Sequence, residues 1–526
     1  MKKLTHIELF AGCGGMNLGL ESAGFELYFA NEVSPMASET FAYNFLNENL
    51  TELSENNTSP VHTLWVCSDY AKDNLKNRLR ENPFSGNKKI TDLTKEANLG
   101  GKLLVGDIDK LLSFLIKNRK YKELQKLNID LVSGGPPCQS FSLAGKREKN
   151  NSKNLLPLSF AKFAGLTKPK VVLLENVKGI TAPFNEDNEQ YFAWLEVSKA
   201  FSLEGFVPLC MMVNSKFFGI PQNRPRFILL AYRKDIFDKL FNNTTDTIKK
   251  EVLTLSRAFY ERVNNRQLNI NDIKVSDFKY YDIEEDPNLF DGQLFPKINK
   301  TVETFTSVKD AIGDLSDNNE SNAYKILLED LFDTKISQQL SNFEIRHHNS
   351  ITQARFRVYQ ILEKISIDYK KNIINLLRGK EVIINEIDLF NAISSFLFII
   401  PSAKNEKRIE RKLKDFEDLK VLMKKLETKK HTQKALIENM PAPAQLTIPD
   451  DICHYDFNNP RVLTVREMAR IQSFPDWFVF KSKTTTGGDA RKFEVPQYTQ
   501  VGNAVPPLLA YELGNLIKNT LNGLTQ

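Results

Sequence analysis

Residues 134–142 read GGPPCQSFS, and this stretch decides how the rest of the chain is interpreted. The short, largely apolar run at residues 129–132 precedes it and predicts a buried parallel strand. Two glycines and two prolines then end that strand abruptly. In an open α/β sheet the carboxyl ends of the strands face the ligand crevice. This position predicts that Cys138 is a nucleophile on a rigid turn, although a lone cysteine is more often a small buried apolar residue.

Composition limits the classes of protein to which the chain can belong. A chain of 526 residues exceeds one ordinary core, so two lobes are expected. Its net charge of +6 permits an anionic partner without requiring one. The five cysteines form no C-x-x-C pair, which argues against a disulfide framework and against a metal site. No apolar run reaches membrane-spanning length, and Glu8 interrupts any signal-peptide core, so we expect a cytoplasmic protein.

A glycine-rich turn near the amino terminus predicts a nucleotide-like ligand. Residues 5–11 predict the first strand, the sequence FAGCGG follows at residues 10–15, and residues 16–23 predict a helix. A strand, a glycine turn and a helix together are typical of nucleotide-binding sites, including those of NAD enzymes, but a turn without a ligand also fits. Glu32 ends the second predicted strand about 20 residues later, where an acid can accept both ribose hydroxyls.

Two further motifs accompany Cys138. Residues 171–174 predict another buried strand, and the sequence ENV follows at residues 175–177, so Glu175 ends a strand as Cys138 does. The sequence QNRPR at residues 222–226 is followed by an apolar run. Arg224 and Arg226 therefore enter a buried strand and need partners there.

These motifs, in this order, resemble those of the DNA (cytosine-5) methyltransferases. The resemblance implies an α/β fold, with a Rossmann-like S-adenosylmethionine-dependent methyltransferase sheet and a second, smaller target-recognition domain. It implies a catalytic domain in two parts, residues 1–235 and residues 461–526, with an insertion near residues 47–100. The target-recognition domain is predicted at residues 236–460.

The resemblance also implies roles for individual residues. Cys138 becomes the nucleophile, Glu175 holds a proton against ring N3 of cytosine, Arg226 binds the ring carbonyl oxygen, and Arg224 braces the site or a phosphate. DNA contacts fall on Gln139, Ser142, Lys146 and Arg147. Cofactor contacts fall on Phe10, Gly12, Cys13, Gly14, Gly15, Glu32, Val33, Asp107, Ile108, Pro137, Leu156, Asn503 and Val505.

Three local patterns add predictions outside these motifs. Residues 47–100 are rich in polar residues and predict a solvated surface segment with one helix at residues 69–80. Apolar residues at helical spacing predict an amphipathic helix within residues 409–426. Thr464 and Glu467, three positions apart, predict a capping box at the start of a helix.

The expected reaction is transfer of a methyl group from S-adenosylmethionine to carbon 5 of a cytosine flipped out of a specific double-stranded DNA sequence. We expect a monomer in a bacterial cytoplasm that acts on nucleoid DNA and is accompanied by a separately acting cognate restriction endonuclease. Three alternatives stay open: an RNA methyltransferase of the same fold, a catalytically silent DNA-binding relative, and a dinucleotide-dependent oxidoreductase.

Overall fold

The computed structural model describes residues 3–137, 156–186, 189–315, 322–332, 340–402, 408–430, 432–444 and 451–524. Its strands are β1 (Leu4–Leu9), β2 (Phe25–Glu32), β3 (Thr63–Trp65), β4 (Lys102–Val105), β5 (Leu131–Gly134), β6 (Val171–Val177), β7 (Phe184–Glu186), β8 (Glu189–Tyr191), β9 (Phe206–Asn214), β10 (Gln222–Asn223), β11 (Pro225–Arg233), β12 (Tyr280–Asp282), β13 (Phe398–Ile400), β14 (Ile409–Arg411), β15 (Lys434–Ala435), β16 (Ala442–Pro443) and β17 (Ile452–Cys453).

A mixed sheet of nine strands organises the catalytic part, in the order β12-β9-β11-β6-β5-β1-β2-β4-β3. Strand β1 pairs in parallel with both β2 and β5, and β6 continues the parallel pairing from β5. Strand β11 runs antiparallel to both β6 and β9. In this sheet β2, β3 and β4 lie on one side of β1, and the strands from β5 onward lie on its other side. The carboxyl ends of β1 and β5 therefore flank the ligand crevice expected for such a sheet, and the α/β prediction is confirmed.

The helices of the described residues cover both faces of this sheet or belong to a second, separate core. They are α1 (Gly15–Ser22), α2 (Pro35–Phe45), α3 (Leu50–Glu55), α4 (Leu75–Arg78), α5 (Ile108–Lys117), α6 (Tyr121–Leu127), α7 (Leu156–Thr167), α8 (Ala193–Leu203), α9 (Lys234–Asn243), α10 (Thr247–Asn264), α11 (Val308–Ile312), α12 (Ala323–Leu331), α13 (Ser350–Leu362), α14 (Ile367–Leu377), α15 (Glu386–Ile393), α16 (Phe416–Lys425), α17 (Val465–Ile471), α18 (Gln497–Asn503) and α19 (Pro507–Gly523). One core contains α1 and α19, and the core on the opposite face contains α5, α7 and α8.

The final helix, α19, packs directly on α1. A Cβ atom added to Gly19 of α1 would lie 2.2 Å from the carbonyl oxygen of Pro507. A Cβ atom added to Gly514 of α19 would lie 2.7 Å from the Cβ of Ala23. Glycine at both positions lets the two helices approach closely. The carboxyl-terminal segment thus completes the layer that begins at the glycine turn.

The polar segment at residues 47–100 is more than a solvated surface, so that prediction was wrong in part. It supplies β3, which pairs in parallel with β4, and Trp65 in this strand is fully buried. Arg78 lies 5.1 Å from the Trp65 ring centroid and forms a 2.7 Å ion pair with Asp92. The helix predicted at residues 69–80 is reduced to α4. An edge strand therefore fixes part of this segment to the sheet.

A separate hydrophobic core joins α13, α14, α15 and α16 with neighbouring strands. The helix predicted within residues 409–426 was wrong in its first half, because Ile409 lies in β14, which pairs with β13. Helix α16 begins only after Asp415, whose side chain accepts a hydrogen bond from the Asp418 N–H as an N-cap. The capping box of Thr464 and Glu467 at the start of α17 is confirmed.

No helix among the described residues is long and apolar enough to cross a membrane. Within the same ranges, no group of three or more His, Cys, Asp or Glu side chains has an arrangement that could hold a metal ion.

Candidate active site

The turn that leads to Cys138 starts where β5 ends. Cys138, Gln139, Ser142, Lys146 and Arg147 lie outside the described residues, so their predicted roles stay predictions. Pro137, the last described residue before them, is exposed.

Glu175 lies on the strand next to this turn. Gly134 in β5 pairs with Leu174 in β6, which places Glu175 one position beyond the end of their ladder. The carboxylate is buried, and its Oε1 lies 2.7 Å from Nε of Arg226. Burial lowers the pKa of Arg226, and the nearby charge of Glu175 raises it. The structure thus brings together two of the predicted catalytic side chains as a buried ion pair.

Gly135 makes room for this carboxylate. A Cβ atom added to Gly135 would lie 3.1 Å from Oε2 of Glu175, which is tighter than an ordinary van der Waals contact. Because Oε1 faces Arg226, the second oxygen points toward the turn that leads to Cys138. The sequence marked Gly135 only as a strand breaker and did not predict this contact.

Asn176 fixes the same turn from the other side. Its Nδ2 donates a 3.1 Å hydrogen bond to the carbonyl oxygen of Pro136, and the side chain is buried. This carbonyl lies between two prolines, which have no N–H, so it has few backbone donors nearby. Asn176 therefore links the strand of Glu175 to the turn before Cys138, a role that the sequence analysis also missed.

Arg224 is more deeply buried than Arg226, with 2% of its surface exposed. Its Nη2 donates to the carbonyl oxygens of Gly502 and Ala504, at 2.9 Å and 3.0 Å. Burial lowers the pKa of Arg224 well below its ordinary value, the charge of Arg226 adds to the decrease, and Glu175 opposes it. Of the two roles predicted for Arg224, these contacts fit bracing and leave the guanidinium enclosed, away from any phosphate at the surface.

The glycine turn after β1 has the open backbone that a ligand needs. Gly12 and Gly14 adopt the left-handed conformation with φ of 56° and 95°, and Phe10 does so with φ of 55°. A Cβ atom added to Gly12 would meet no atom within 4 Å, so this side of the turn is open. A Cβ atom added to Gly15, by contrast, would lie 2.4 Å from the carbonyl oxygen of Val505. Gly15 therefore permits packing against the carboxyl-terminal segment.

Cys13 points away from this open side. The thiol is 2% exposed, its Sγ lies 3.7 Å from the carbonyl oxygen of Gln500, and burial raises the pKa of Cys13 to about 12. A cofactor contact from Cys13 would have to come from its backbone.

Glu32 connects β2 to the glycine turn. Its Oε2 accepts a 2.8 Å hydrogen bond from the Gly12 N–H, and its Oε1 accepts a 2.7 Å bond from the Ser34 N–H. Burial raises the pKa of Glu32, whereas these backbone donors lower it. Each carboxylate oxygen retains a second lone pair. An open glycine turn beside a fixed acceptor pair fits a ligand with vicinal hydroxyl groups, as the sequence predicted.

The end of β4 forms the next part of the cleft. Asp107 caps α5, and its Oδ1 accepts from the backbone N–H groups of Asp109 and Lys110 at 2.8 Å and 3.2 Å. Ile108 is 2% exposed, so most of its side chain packs into the core and little is left to cover a ring. Asn31, which the sequence analysis did not single out, fixes this end through bonds to the carbonyls of Leu104 and Gly106.

The remaining predicted cofactor residues differ in their exposure. Asn503, the last residue of α18, is exposed, whereas Val505 is buried. Val33 and Leu156 are half-buried.

Comparison with known protein families identifies the family to which the chain belongs. The sequence model of the C-5 cytosine-specific DNA methylases matches residues 4–66 and 95–519. The chain belongs to this family. The matched residues include the glycine turn, the strands that end at Glu175 and at the Cys138 turn, both arginines, and the carboxyl-terminal helices. The family model omits residues 67–94, a shorter stretch than the insertion predicted near residues 47–100, whose bounds stay a prediction.

Individual relatives of this DNA methylase are distant but extend along nearly the whole chain. The type II methyltransferase M.DdeI of Desulfomicrobium norvegicum is 24% identical over 97% of this chain and 88% of its own length. The type II methyltransferase M.XorII of Xanthomonas oryzae is 24% identical over 99% and 86%. DNA (cytosine-5)-methyltransferase 3 of Arabidopsis thaliana is 26% identical over 99% of this chain and 31% of its own. The solved methyltransferase EhMeth of Entamoeba histolytica is 10% identical, covers 99% of both chains and has a TM-score of 0.43.

The family fixes the class of the enzyme. This chain is a DNA (cytosine-5) methyltransferase, as the order of its motifs predicted. The motifs identified the titratable residues of the cleft but not the contacts that hold them in place. Asn176 and Asn31 lie directly beside predicted residues, and Gly135 lies two positions before Pro137, so the signal for them was closeness to a motif at the end of a strand.

Proposed function

We propose that this DNA methylase transfers a methyl group from S-adenosylmethionine to carbon 5 of a cytosine in a specific duplex DNA sequence, through a covalent bond from Cys138 to carbon 6. The observation that carries the proposal is the buried Glu175–Arg226 ion pair at the end of β6. This ion pair lies beside the turn at the end of β5 that leads to Cys138. The open glycine turn lies at the end of β1, which is the neighbour of β5 in the sheet.

The chemistry requires a nucleophile because carbon 5 of cytosine is itself a weak one. A bond from the Cys138 sulfur to carbon 6 moves the electrons of the 5,6 double bond toward carbon 5, as in an enamine. When bound, S-adenosylmethionine supplies an electrophilic methyl group to that carbon. A base then takes the proton from carbon 5, the double bond re-forms, and the sulfur leaves as a thiolate.

Glu175 and Arg226 stabilise the ring while the sulfur is attached. Glu175 shares a proton with ring N3, which reduces the negative charge that develops there. Arg226 binds the ring carbonyl oxygen and keeps Glu175 in place through their 2.7 Å contact. The Gly135 side of Glu175, where Oε2 is directed, is the side from which the ring approaches in this proposal.

The cofactor would be held by residues at the ends of β1, β2 and β4. Glu32 accepts the ribose hydroxyls, Asp107 accepts from the adenine amino group, and Gly12 admits the ligand to the backbone. Asn503 and Val505 complete the site from the carboxyl-terminal segment. The donor and acceptor set at these positions supports this arrangement.

Carbon 6 is inaccessible in stacked DNA, so the target base must leave the helix. We propose that Gln139, Ser142, Lys146 and Arg147 contact the DNA around it. Residues 236–460 contain the target-recognition domain in this proposal. The separate core of α13 to α16 supports this for the later part of the range, whereas β12, near residue 280, belongs to the nine-stranded sheet. The names of the type II relatives further support a bacterial restriction–modification role, in which a separate endonuclease recognises the same DNA sequence.

The test is transfer of a labelled methyl group from S-adenosylmethionine to duplex DNA, with transfer RNA assayed in parallel and bisulfite sequencing of the DNA product. We expect 5-methylcytosine at one recurring DNA sequence and no label in transfer RNA. Cys138→Ala should abolish transfer while cofactor binding is retained. Cys453→Ala is the matched control, because Cys453 is buried in the separate core. Methylation that survives Cys138→Ala, or that occurs only on transfer RNA, would contradict the proposal.

A further inference from the structure

Arg224 and Arg226 are two residues apart, but their guanidinium groups have different partners. Arg226 lies in β11 and contacts the carboxylate of Glu175. Arg224, just before β11, contacts no carboxylate within 4 Å among the described residues and instead donates to Gly502 and Ala504, nearly 280 residues further along the chain. Its own N–H donates to Oδ1 of Asn214 at 2.9 Å, which fixes the backbone at this point. The two arginines therefore serve different parts of the cleft.

The carbonyls bound by Arg224 lie at the end of a helix. Gly502 is the penultimate residue of α18, and Ala504 follows the helix as its C-cap. The last carbonyls of a helix have no partner within it and carry the negative end of its dipole. A buried cation that binds both carbonyls satisfies them and fixes the direction in which the chain leaves α18.

The turn fixed in this way, residues 502–505, meets the glycine turn of β1. Asn503 lies between the two bound carbonyls and is exposed. The Val505 carbonyl packs so closely on Gly15 that an added Cβ atom there would lie 2.4 Å away. A shift of residues 502–505 therefore moves Asn503 relative to the start of α1, where the cofactor is proposed to bind.

We infer that Arg224 is a positioning residue for the cofactor, which acts by holding residues 502–505 against the glycine turn. This inference rests on the proposed function, since it assumes that Asn503 and the glycine turn bind S-adenosylmethionine. It assigns the two arginines separate roles: Arg226 serves the cytosine, and Arg224 serves the cofactor.

The first experiment compares Arg224→Lys with Arg226→Lys. Both carbonyls accept from Nη2 of Arg224, and the ammonium of a lysine lies one bond closer to the backbone, so it cannot reach both of them in the same geometry. We expect Arg224→Lys to raise the dissociation constant of S-adenosylmethionine, measured by calorimetry, about tenfold, with kcat at saturating cofactor nearly unchanged. Arg226→Lys should show the opposite pattern. Arg233→Lys is the control, because Arg233 is also on β11 but is half-buried and paired with Asp235. An unchanged cofactor affinity in a folded Arg224→Lys protein would overturn the inference.

A double-mutant cycle tests whether Arg224 acts through Asn503. If it does, Asn503→Ala should weaken cofactor binding much less in the Arg224→Lys background than in the wild type. Equal losses in both backgrounds would contradict a positioning role.

A measurement on the wild-type protein keeps the inference testable even if Arg224 variants do not fold. Cofactor binding should slow amide hydrogen exchange in residues 502–505, and unchanged exchange there in a protein that binds the cofactor would overturn the inference. A wild-type protein that binds no S-adenosylmethionine would instead contradict the proposed function.

Discussion

The catalytic end of the cleft, at Glu175 and Arg226, holds its carboxylate with a side-chain cation, whereas the cofactor end, at Glu32 and Asp107, holds its carboxylates with backbone N–H groups. Both designs keep an acid in a fixed place. At the catalytic end the partner is the guanidinium of Arg226, a charged side chain that can move and that a substitution can remove. At the cofactor end the partners belong to turns and helix starts that form with the fold.

This difference predicts which measured quantity each end controls. A change at the catalytic end alters a group whose interactions strengthen as charge develops on the ring, so it should lower kcat. A change at the cofactor end alters binding in the ground state, so it should lower affinity. Substitutions that keep the size of a side chain and change only its charge test the comparison most directly.

The largest expected effect is that of Glu175→Gln. The amide cannot give a proton to ring N3 as a carboxylic acid does, and such proton transfer contributes about a thousandfold. We expect kcat to fall by about that factor, while the dissociation constant of S-adenosylmethionine stays the same. Glu196→Gln, on α8 with a half-exposed side chain, is the matched control. A loss in cofactor affinity as large as the loss in kcat would remove the distinction between the two ends.

Glu32→Gln should show the reverse pattern. The amide oxygen can replace only one of the two acceptors that bind Gly12 and Ser34, and a hydrogen bond to a charged group contributes about 1.5–3 kcal/mol. We therefore expect cofactor affinity to fall about thirtyfold in calorimetry, with kcat at saturating cofactor nearly unchanged. Glu26→Gln is the control, because Glu26 lies on the same strand and is exposed. Unaltered affinity would place the ribose elsewhere.

Gly135→Ala should have a smaller effect, confined to the catalytic end. The added Cβ, 3.1 Å from Oε2 of Glu175, would displace the carboxylate by a few tenths of an ångström. Since misplacement by about 1 Å can cost a hundredfold in rate, we expect kcat to fall about tenfold with cofactor affinity retained.

The control for that variant is Gly487→Ala, because a Cβ at Gly487 would meet nothing within 4 Å. If kcat is unchanged in Gly135→Ala, the carboxylate tolerates the shift and its position is less restricted than the ion pair suggests.

The cleft could be predicted largely from the sequence because each motif marks the end of a strand. Once the strands are parallel neighbours, their ends meet at one edge, which placed Glu175 beside the turn of Cys138 and Glu32 beside the glycine turn. The contacts of Arg224 could not be predicted. They join residues nearly 280 positions apart, and no local pattern specifies which carbonyls a buried arginine will bind.

The segments outside the motifs were predicted less well, for a related reason. Trp65 looked like part of a polar segment, yet it is buried because β3 extends the ladder of β4. Ile409 matched a helical spacing but lies in β14, since Asp415 starts the helix later. In both places tertiary pairing and a cap outweighed the local pattern.

The smallest effect concerns Glu8, which lies between the two ends on β1 and pairs with Ala30 and Ser133. Burial raises the pKa of Glu8 well above its ordinary value of 4.5, and the charges of Glu21 and Glu32 raise it further. The folded protein therefore keeps a proton that the unfolded chain releases above about pH 4.5. The stability linked to this proton is complete below that pH and is lost as the pH rises toward the folded pKa.

Glu8→Gln cannot ionise, so it should remove this dependence. We expect its melting temperature to exceed that of the wild type by a margin that grows from pH 5 to pH 9 and reaches a few degrees. Burial lowers the pKa of nearby His6 to about 4. His6 titrates in both proteins, so its contribution cancels in the difference between their melting temperatures. Glu26→Gln, exposed on β2, is the control for the substitution itself. If the margin between Glu8→Gln and the wild type does not change with pH, then Glu8 does not hold a proton between the two ends of the cleft.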